Sequence, residues 1–438
     1  MGLNLMKNIC SKMLNPYRVK SLPRNSPLST GFTCGYSHLT TSWLPLINHY
    51  YLNIIELKID MKIFQNLKWL LLFIILVSSS PVFSQNTYTF FESFQAFKPN
   101  AKGELSFNFD NATFFRNNEY TGKIVDGYTL PGAWIRPKLE YYPDDKLRVE
   151  LGGNVLKYNG REEYYNLTPW FSVIYQPTQR LSLIMGNLNN DRNHDLIEPL
   201  LEPERFLTAK PEAGFQVKYN APKFTTDIWF DWQQFIIQGD PFQERFVFGA
   251  RTNLKIFDKN NSELAFPMTF YGQHQGGEIT NSSLGLAHSY ITMTPGLTFN
   301  RRVSDKTIKG WSLNAYYSLS TFPMDKSFYN KSNGWGFYAN GNIDTRLGGL
   351  TLAYWHGHDY YTPQGGNIYQ NLSQLGNGLI PNNELVNLKY HFDKEIFPST
   401  HFGFMLDYYY DTINKTQSNA EGLYLVINFG IPLKKVRE

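Results

Sequence analysis

The sequence predicts an all-β fold, a transmembrane antiparallel β-barrel of about 16 strands (with 14–18 possible) over residues 103–433. Apolar residues alternate with period two along most of this region, which is the pattern of strands with two different faces. The alternating segments commonly reach ten residues or more, as bilayer-crossing strands must, whereas strands of soluble sandwiches average about 5–6 residues. Longer and shorter connections also alternate along the chain, which is typical of an outer-membrane barrel.

The first informative stretch along the chain is residues 61–84, MKIFQNLKWLLLFIILVSSSPVFS. Lys62 and Lys68 accompany an apolar run over 69–77, and small polar residues with Pro81 follow, an order typical of a secretory signal peptide. The run is far shorter than the ~20 apolar residues that a membrane anchor needs. We therefore predict cleavage after Ser84. Residues 1–60 are then predicted to be an upstream, unstructured extension of the reading frame, because a signal peptide leaves the ribosome first.

Cleavage after Ser84 changes the chemistry that the chain can carry. It removes both cysteines, Cys10 and Cys34, so no disulfide or thiolate site is expected. It also changes the net charge from +4 to −2, which removes the basic character expected of a nucleic-acid-binding protein. No second long apolar segment follows, which excludes a helical membrane protein.

Beyond the signal peptide, residues 85–102 are predicted to be a short periplasmic segment, and residues 434–438 form a basic tail. Sixteen strands are predicted between them, each bounded by a polar loop or by turn residues such as Pro, Asn, Asp and Gly. In chain order these are 103–116, 128–142, 146–157, 164–176, 180–188, 213–219, 224–236, 244–257, 262–273, 285–300, 309–322, 335–344, 349–358, 384–392, 401–411 and 421–433.

The third strand shows the pattern on which these assignments rest. Leu147, Val149 and Leu151 share one face, and Arg148 and Glu150 share the other. The apolar faces start or end in Trp, Tyr or Phe, as expected for aromatic girdles at a membrane interface. In lipid, a closed sheet alone leaves no strand edge unpaired, so we predict that the last strand pairs with the first.

With a signal peptide, sixteen alternating strands and a long third external loop, residues 103–433 resemble the porins of Gram-negative outer membranes. The resemblance implies a cell outer-membrane location, an aqueous channel through the barrel and a third loop that folds inward to narrow the pore. The partners expected on this basis are outer-membrane lipid, small polar solutes and the barrel-assembly machinery, with a homo-oligomer as an option. No nucleic-acid partner and no cofactor are expected.

Two sets of charged residues are candidates for binding solutes in the pore. The corresponding third loop, 189–212, supplies carboxylates, and apolar side chains within it suggest that it packs against other parts of the protein. The opposing set lies on the strand faces opposite the apolar ones, so it should point into the lumen, since a charge facing lipid costs ~2–4 kcal/mol at the midplane. The loop set is Asp191, Asp195, Glu198, Glu202 and Glu204, and the wall set is Arg136, Lys138, Arg148, Arg245, Arg251 and Lys255.

Each set has a simpler interpretation. The loop is alternatively an ordered external flap with solvated charges, and the wall cations alternatively pair with Glu140, Glu150, Asp227 and Asp231. His356 and His358 share a strand face, but two histidines without a third ligand are more typical of an interfacial polar role than of a metal site.

Hydrolases form the rival class of barrel. The adjacent pair His288–Ser289 cannot act together, because neighbouring side chains on a strand face opposite sides. We therefore predict that the chain is not an enzyme but a porin-like channel for passive diffusion of small polar or charged solutes. A transporter for a specific polysaccharide or hydrophobic compound, and a barrel hydrolase, remain the alternatives.

Overall fold

The computed structural model describes residues 96–277, 287–303, 307–321 and 333–434, apart from the side chains of residues 191 and 192. The predicted upstream extension 1–60, the signal peptide 61–84, most of the periplasmic segment and most of the basic tail lie outside the described residues. Within those ranges, no helix has the length and apolar character needed to cross a membrane.

The described chain forms sixteen antiparallel strands, β1 to β16, which confirms the predicted strand number and fold class. In order they are Leu105–Glu119, Tyr128–Asp144, Leu147–Tyr158, Asn166–Thr178, Leu181–Asn187, Ala213–Asn220, Phe224–Gln234, Arg245–Lys259, Ser262–Gln275, His288–Arg302, Ile308–Thr321, Asn333–Thr345, Gly348–His358, Asn382–Phe397, Thr400–Asp411 and Thr416–Lys434. Within the described residues, three short helical turns occur in loops: the 3₁₀ turns Asp191–Asp195 and Asn367–Tyr369, and the helix α1 at Arg205–Thr208.

The sheet closes on itself without a free edge. Each strand pairs with its neighbours in the chain, and β1 pairs with β16 from Leu105 opposite Lys434 to Glu119 opposite Asn419. Closure satisfies the backbone N–H and C=O groups that an open sheet would leave exposed to lipid.

The two faces of the barrel have opposite chemistry. Large apolar side chains such as Leu151, Leu352 and Leu423 are half exposed on the outside, whereas charged side chains such as Arg148 and Lys389 are buried on the inside. An apolar exterior around a polar interior is the arrangement of a barrel that sits in lipid. The protein is therefore an outer-membrane barrel.

The two ends of the barrel differ in the length of their connections. Short turns such as 145–146 and 398–399 lie at one end, which faces the periplasm in barrels of this kind. The other, external end carries the longer loops, among them L3 (188–212) and L7 (359–381).

Several strands are longer than predicted, chiefly at their external or periplasmic ends. β16 begins at Thr416 instead of residue 421, and β14 covers Asn382–Phe397 instead of 384–392. The added residues include Gln417 and Ser418, which pair with Tyr410 and Tyr409 of β15. The added residues 416–420 of β16 are mostly polar on both faces, so they lack the period-two signal from which the boundaries were predicted.

Candidate functional site

Loop L3 folds into the barrel and crosses its lumen. Leu200 and Leu201 pack with Trp229 of β7 and Tyr271 of β9. Leu207 packs with a second cluster, which includes Trp134 of β2. These leucines are at most 1% exposed. The loop thus lies where a constriction loop would have to lie, and its effect on solutes stays a prediction.

Two carboxylates of L3 bind cations on the far wall, which is the part of the barrel formed by β1, β14 and β15. Glu204 accepts a hydrogen bond from Arg116 Nε at 2.9 Å, and Arg116 Nη2 contacts Asp407 at 2.6 Å. Glu198 pairs with Lys389. All of these side chains except that of Glu198 are at least nine-tenths buried. Arg116 and Lys389 are therefore two wall cations that hold the loop, and neither is in the predicted wall set.

Loop L7 also enters the lumen and packs on L3. Thr362 Oγ1 donates to the Pro199 carbonyl at 2.8 Å, and the Glu202 amide donates to the Gln364 carbonyl at 2.8 Å. Gln364 also hydrogen-bonds the hydroxyl of Tyr271 on β9. L3 and L7 therefore pack against each other inside the barrel.

His194 connects L3 to β7, the strand next to the one at which L3 ends. Its ring stacks on Trp229 with 3.9 Å between centroids, while Nδ1 lies 2.9 Å from Asp227 and Nε2 lies 2.7 Å from Glu212. Although burial opposes the charge, Glu212 and Asp227 raise the pKa of His194 to about 9. The imidazolium is therefore a cation shared by two carboxylates. Lys218 and Arg205 also face those carboxylates, at 3.7 and 3.8 Å.

This contact predicts that L3 loosens at alkaline pH. A raised histidine pKa stabilises the fold fully below about pH 6.5, the ordinary value, and the contribution is lost as the pH rises through about 9. Burial and the neighbouring Glu204 also raise the pKa of Glu202 to about 8, which acts in the same direction. Limited proteolysis of 188–212 should therefore accelerate between about pH 6 and pH 10. The His194→Gln variant should be cleaved readily at both pH values. Equal rates of cleavage of the wild-type protein at the two pH values would contradict the prediction.

The predicted wall residues on β2 and β3 lie on the inner face and are already paired. Arg136 stacks between the rings of Trp134 and Trp170, at 4.8 and 4.4 Å from their centroids. The other two cations pair with carboxylates of the same wall: Lys138 with Asp110 at 2.9 Å, and Arg148 with Glu150 at 3.0 Å and Glu140 at 3.7 Å.

The remaining predicted residues are dispersed. Arg251 lies beside the hydroxyl of Tyr316, Arg245 is opposite Gln275 at the external end, and Lys255 pairs with Glu263 near the periplasmic end. Asp195 is exposed and lies near enough to Tyr316 to act on the same hydroxyl as Arg251, and the side chain of Asp191 lies outside the described residues. The eleven predicted side chains therefore do not form one site.

A serine and a histidine meet on the outer face of the barrel. Ser289 on β10 stands directly opposite His274 on β9, and His274 Nδ1 lies 2.7 Å from Ser289 Oγ. On β9 the exposed apolar residues Phe266 and Phe270 share the face of His274, and on β10 Met293 and Leu297 share the face of Ser289. Both side chains are half-buried and lie at the ends of their strands nearest the external loops. The dyad is thus placed at the external membrane interface and faces lipid.

Aromatic side chains surround this dyad. The Phe246 ring lies 5.0 Å from the His274 ring and stacks on Phe230 at 4.8 Å, and Trp232 lies 6.0 Å from Phe246. Sequence reasoning missed the dyad because it compared Ser289 only with its chain neighbour His288. The sequence does contain a signal for the dyad. His274 and Ser289 each lie an even number of residues from the lipid-facing residues of their own strand, so both are expected on the outer face.

The second histidine pair also faces outward at the external end. His356 Nδ1 lies 3.5 Å from Glu384, and the Trp335 ring contacts both His356 and His358. Across the part of the chain that the structure describes, no three His, Cys, Asp or Glu side chains are arranged to hold a metal ion.

Comparisons with known proteins match the chain to the sequence model of a family and to solved structures of low sequence identity. The sequence model of a family described as lipid A 3′-O-deacylase-type matches residues 97–436. No match was found among curated protein sequences.

Similar solved structures are outer-membrane proteins. OprD from Pseudomonas aeruginosa is 12% identical, with a TM-score of 0.46 over 77% of this chain and 97% of that chain. OmpT of Vibrio cholerae, in a trimer form, is 8% identical, with a TM-score of 0.44 over 75% and 100%. OprB from Pseudomonas putida is 10% identical, with a TM-score of 0.42 over 76% and 100%. Likenesses this distant carry no argument about function.

The family match corrects the prediction that the chain is not an enzyme. That prediction rested on the pair His288–Ser289, whereas the pairing of β9 with β10 places Ser289 beside His274. The resemblance to porins holds for the sixteen-stranded outer-membrane barrel, whereas the matching family is a different one.

Proposed function

Because the chain belongs to the lipid A 3′-O-deacylase-type family, we propose that it hydrolyses an ester-linked acyl chain of a lipid A-type glycolipid in the outer leaflet. The observation that carries this proposal is the Ser289–His274 pair on the lipid face. An acyl ester of an outer-leaflet lipid lies at the boundary between headgroup and hydrocarbon. The dyad lies at the same depth, so substrate can reach it by lateral diffusion.

Ser289 is the proposed nucleophile and His274 the proposed general base. His274 Nδ1, unprotonated in this role, takes the proton of Ser289 Oγ as that oxygen attacks the ester carbonyl. The C–O bond to the sugar then breaks, the imidazolium returns its proton to the departing sugar oxygen, and the acyl group remains on Ser289. Water, deprotonated by the same ring, hydrolyses this acyl-enzyme and releases the fatty acid.

The surroundings of His274 favour a dyad over a triad. Phe246 packs against the imidazole, and Ser289 is its polar partner within the described ranges. No carboxylate contacts the ring there, so His274 is oriented by packing. A geometry of 2.7 Å between base and nucleophile is within the range required for proton transfer.

The proposal is tested by fatty-acid release. The purified, folded barrel is incubated with lipid A in mixed micelles, and free fatty acid is measured over time. Release that is absent from the heat-unfolded protein is expected. No release from either preparation would overturn the proposal.

A second candidate function is passage of small polar solutes through the lumen. The supporting observation is the polar inner face of β11 and β12, where Ser312, Asn314, Asn340 and Asn342 are linked by hydrogen bonds of 2.8 Å. A wall lined with amides and hydroxyls suits hydrated solutes.

The channel candidate predicts a change in ion selectivity. Replacing Arg136, Arg148 and Arg251 by neutral residues should shift selectivity toward cations, because Glu140 and Glu150 then lose the cation between them. The measurement is the reversal potential in planar bilayers under a salt gradient. Leu423→Ala on the lipid face serves as a control that should leave the potential unchanged. Unchanged potentials in the triple variant would remove these arginines from the conducting path.

A further inference from the structure

We infer that Phe246, Phe248 and Phe270 form an acyl-chain surface beside the dyad, and that Gly272 allows Phe248 to lie flat within it. The inference rests on the proposed function and adds the residues that select the substrate: they favour a long, straight acyl chain.

Gly272 occupies the first lipid-facing position below His274. It lies two residues from His274 on the same face of β9, and it stands opposite Ile291, which lies two residues from Ser289. An acyl chain whose ester is at Ser289 therefore passes Gly272 and Ile291 first as it enters the hydrocarbon.

The ring of Phe248 covers this glycine. Phe248 stands opposite Gly272 in the β8–β9 pairing, and a Cβ placed on Gly272 would lie 2.3 Å from Phe248 Cζ. All three contacts nearest to that Cβ are with atoms of the same ring, at 2.3–2.8 Å. The missing side chain is what lets the ring lie against the sheet instead of projecting into lipid.

Aromatic rings line the path from the dyad into the membrane, since Phe246 and Phe248 lie two residues apart on the lipid-facing side of β8. Phe246 contacts the His274 ring at 5.0 Å, and Phe248 contacts Phe270 at 5.7 Å with 34° between ring planes. Phe270 is 40% exposed and lies four residues from His274, which is about 13 Å at ~3.3 Å per residue. This length accommodates the upper part of one acyl chain.

Binding of an acyl chain explains the arrangement of these rings better than a general role at the membrane interface does. Aromatic residues of a girdle project into the headgroup region, whereas Phe248 is held flat over a glycine and Phe270 lies deeper in the hydrocarbon. Leu352 and Leu423, at other places on the lipid face, are branched. A flat ring gives a straight chain more contact than a branched side chain does.

The test compares long-chain and short-chain substrates. In Gly272→Ala the new methyl group must displace the Phe248 ring, so kcat/KM for lipid A should fall about tenfold or more, since each lost methylene contact weakens binding. Hydrolysis of a short, soluble acyl ester should stay within about twofold, because the dyad is unchanged. Phe270→Ala should show the same split, and Leu423→Ala on β16 is the matched control that should show none.

A double variant tests whether Gly272 acts through the ring. Gly272→Ala combined with Phe248→Ala should be no worse than Phe248→Ala alone, because the ring that the methyl displaces is then absent. Equal losses on both substrates, or no loss on lipid A, would overturn the inference.

A capture experiment separates this inference from the proposed function. The photoreactive residue p-benzoyl-phenylalanine replaces Phe270, or Leu423 as a control, in a Ser289→Ala background, and lipid A is the probe. Capture at 270 well above capture at 423 is expected. Capture without wild-type hydrolysis would support the surface and overturn the deacylase, whereas hydrolysis without preferential capture would overturn the surface alone.

Discussion

Ser289→Ala is expected to reduce lipid A deacylation by about a thousandfold or more, because it removes the proposed nucleophile. His274→Ala should cost a similar factor, since the hydroxyl 2.7 Å from Nδ1 then has no base. The double variant should be no slower than either single variant, because members of one catalytic unit are not additive. The measurement is the initial rate of fatty-acid release by purified protein.

A serine-to-alanine change on the opposite face of the sheet is the control for an effect of the Ser289→Ala change on folding. Ser320 on β11 is buried on the inner wall, so Ser320→Ala changes a hydroxyl without touching the lipid-facing dyad. It should retain wild-type activity. A Ser289→Ala variant that keeps the wild-type rate would show that the nucleophile lies elsewhere in the chain.

Arg116→Met is expected to release L3 from the far wall and to lower the free energy of unfolding. The guanidinium is 1% exposed and neutralises both Glu204 and Asp407. Removing one partner of a buried ion pair typically costs ~3–5 kcal/mol, since the remaining charges are left without compensation. Hydrogen exchange of the amides of 188–212 should therefore accelerate, and the denaturation midpoint should fall.

The cause is tested by removing the stranded charges as well. Arg116→Met together with Glu204→Gln and Asp407→Asn leaves no uncompensated buried charge, so it should recover much of the lost stability. A single Arg116→Met variant with wild-type exchange in L3 would show that this network does not hold the loop.

The barrel could be predicted from sequence because its signal is local. Leu147, Arg148 and Val149 alternate between lipid and lumen within three residues, and this alternation recurs along most of the barrel. Closure follows, because lipid offers no partner for a free edge. Strand ends were less predictable, since beyond the lipid both faces of a strand such as β16 are polar.

The site could not be predicted to the same extent because its contacts join distant parts of the chain. Arg116 meets Asp407, and Lys389 meets Glu198, only once the barrel closes and L3 folds inward. The Ser289–His274 pair depends on the register between β9 and β10. That register is fixed by the connecting loop and by packing, which the sequence of either strand alone does not specify.

The deacylase proposal is tested most directly by the mass of lipid A recovered from cells. Lipid A is extracted from outer membranes that contain the wild-type chain, the Ser289→Ala variant or neither, and each sample is analysed by mass spectrometry. The wild-type chain should yield a species that lacks one ester-linked acyl chain, and the other two samples should be identical to each other. Unmodified lipid A from cells with folded wild-type barrel would contradict the account.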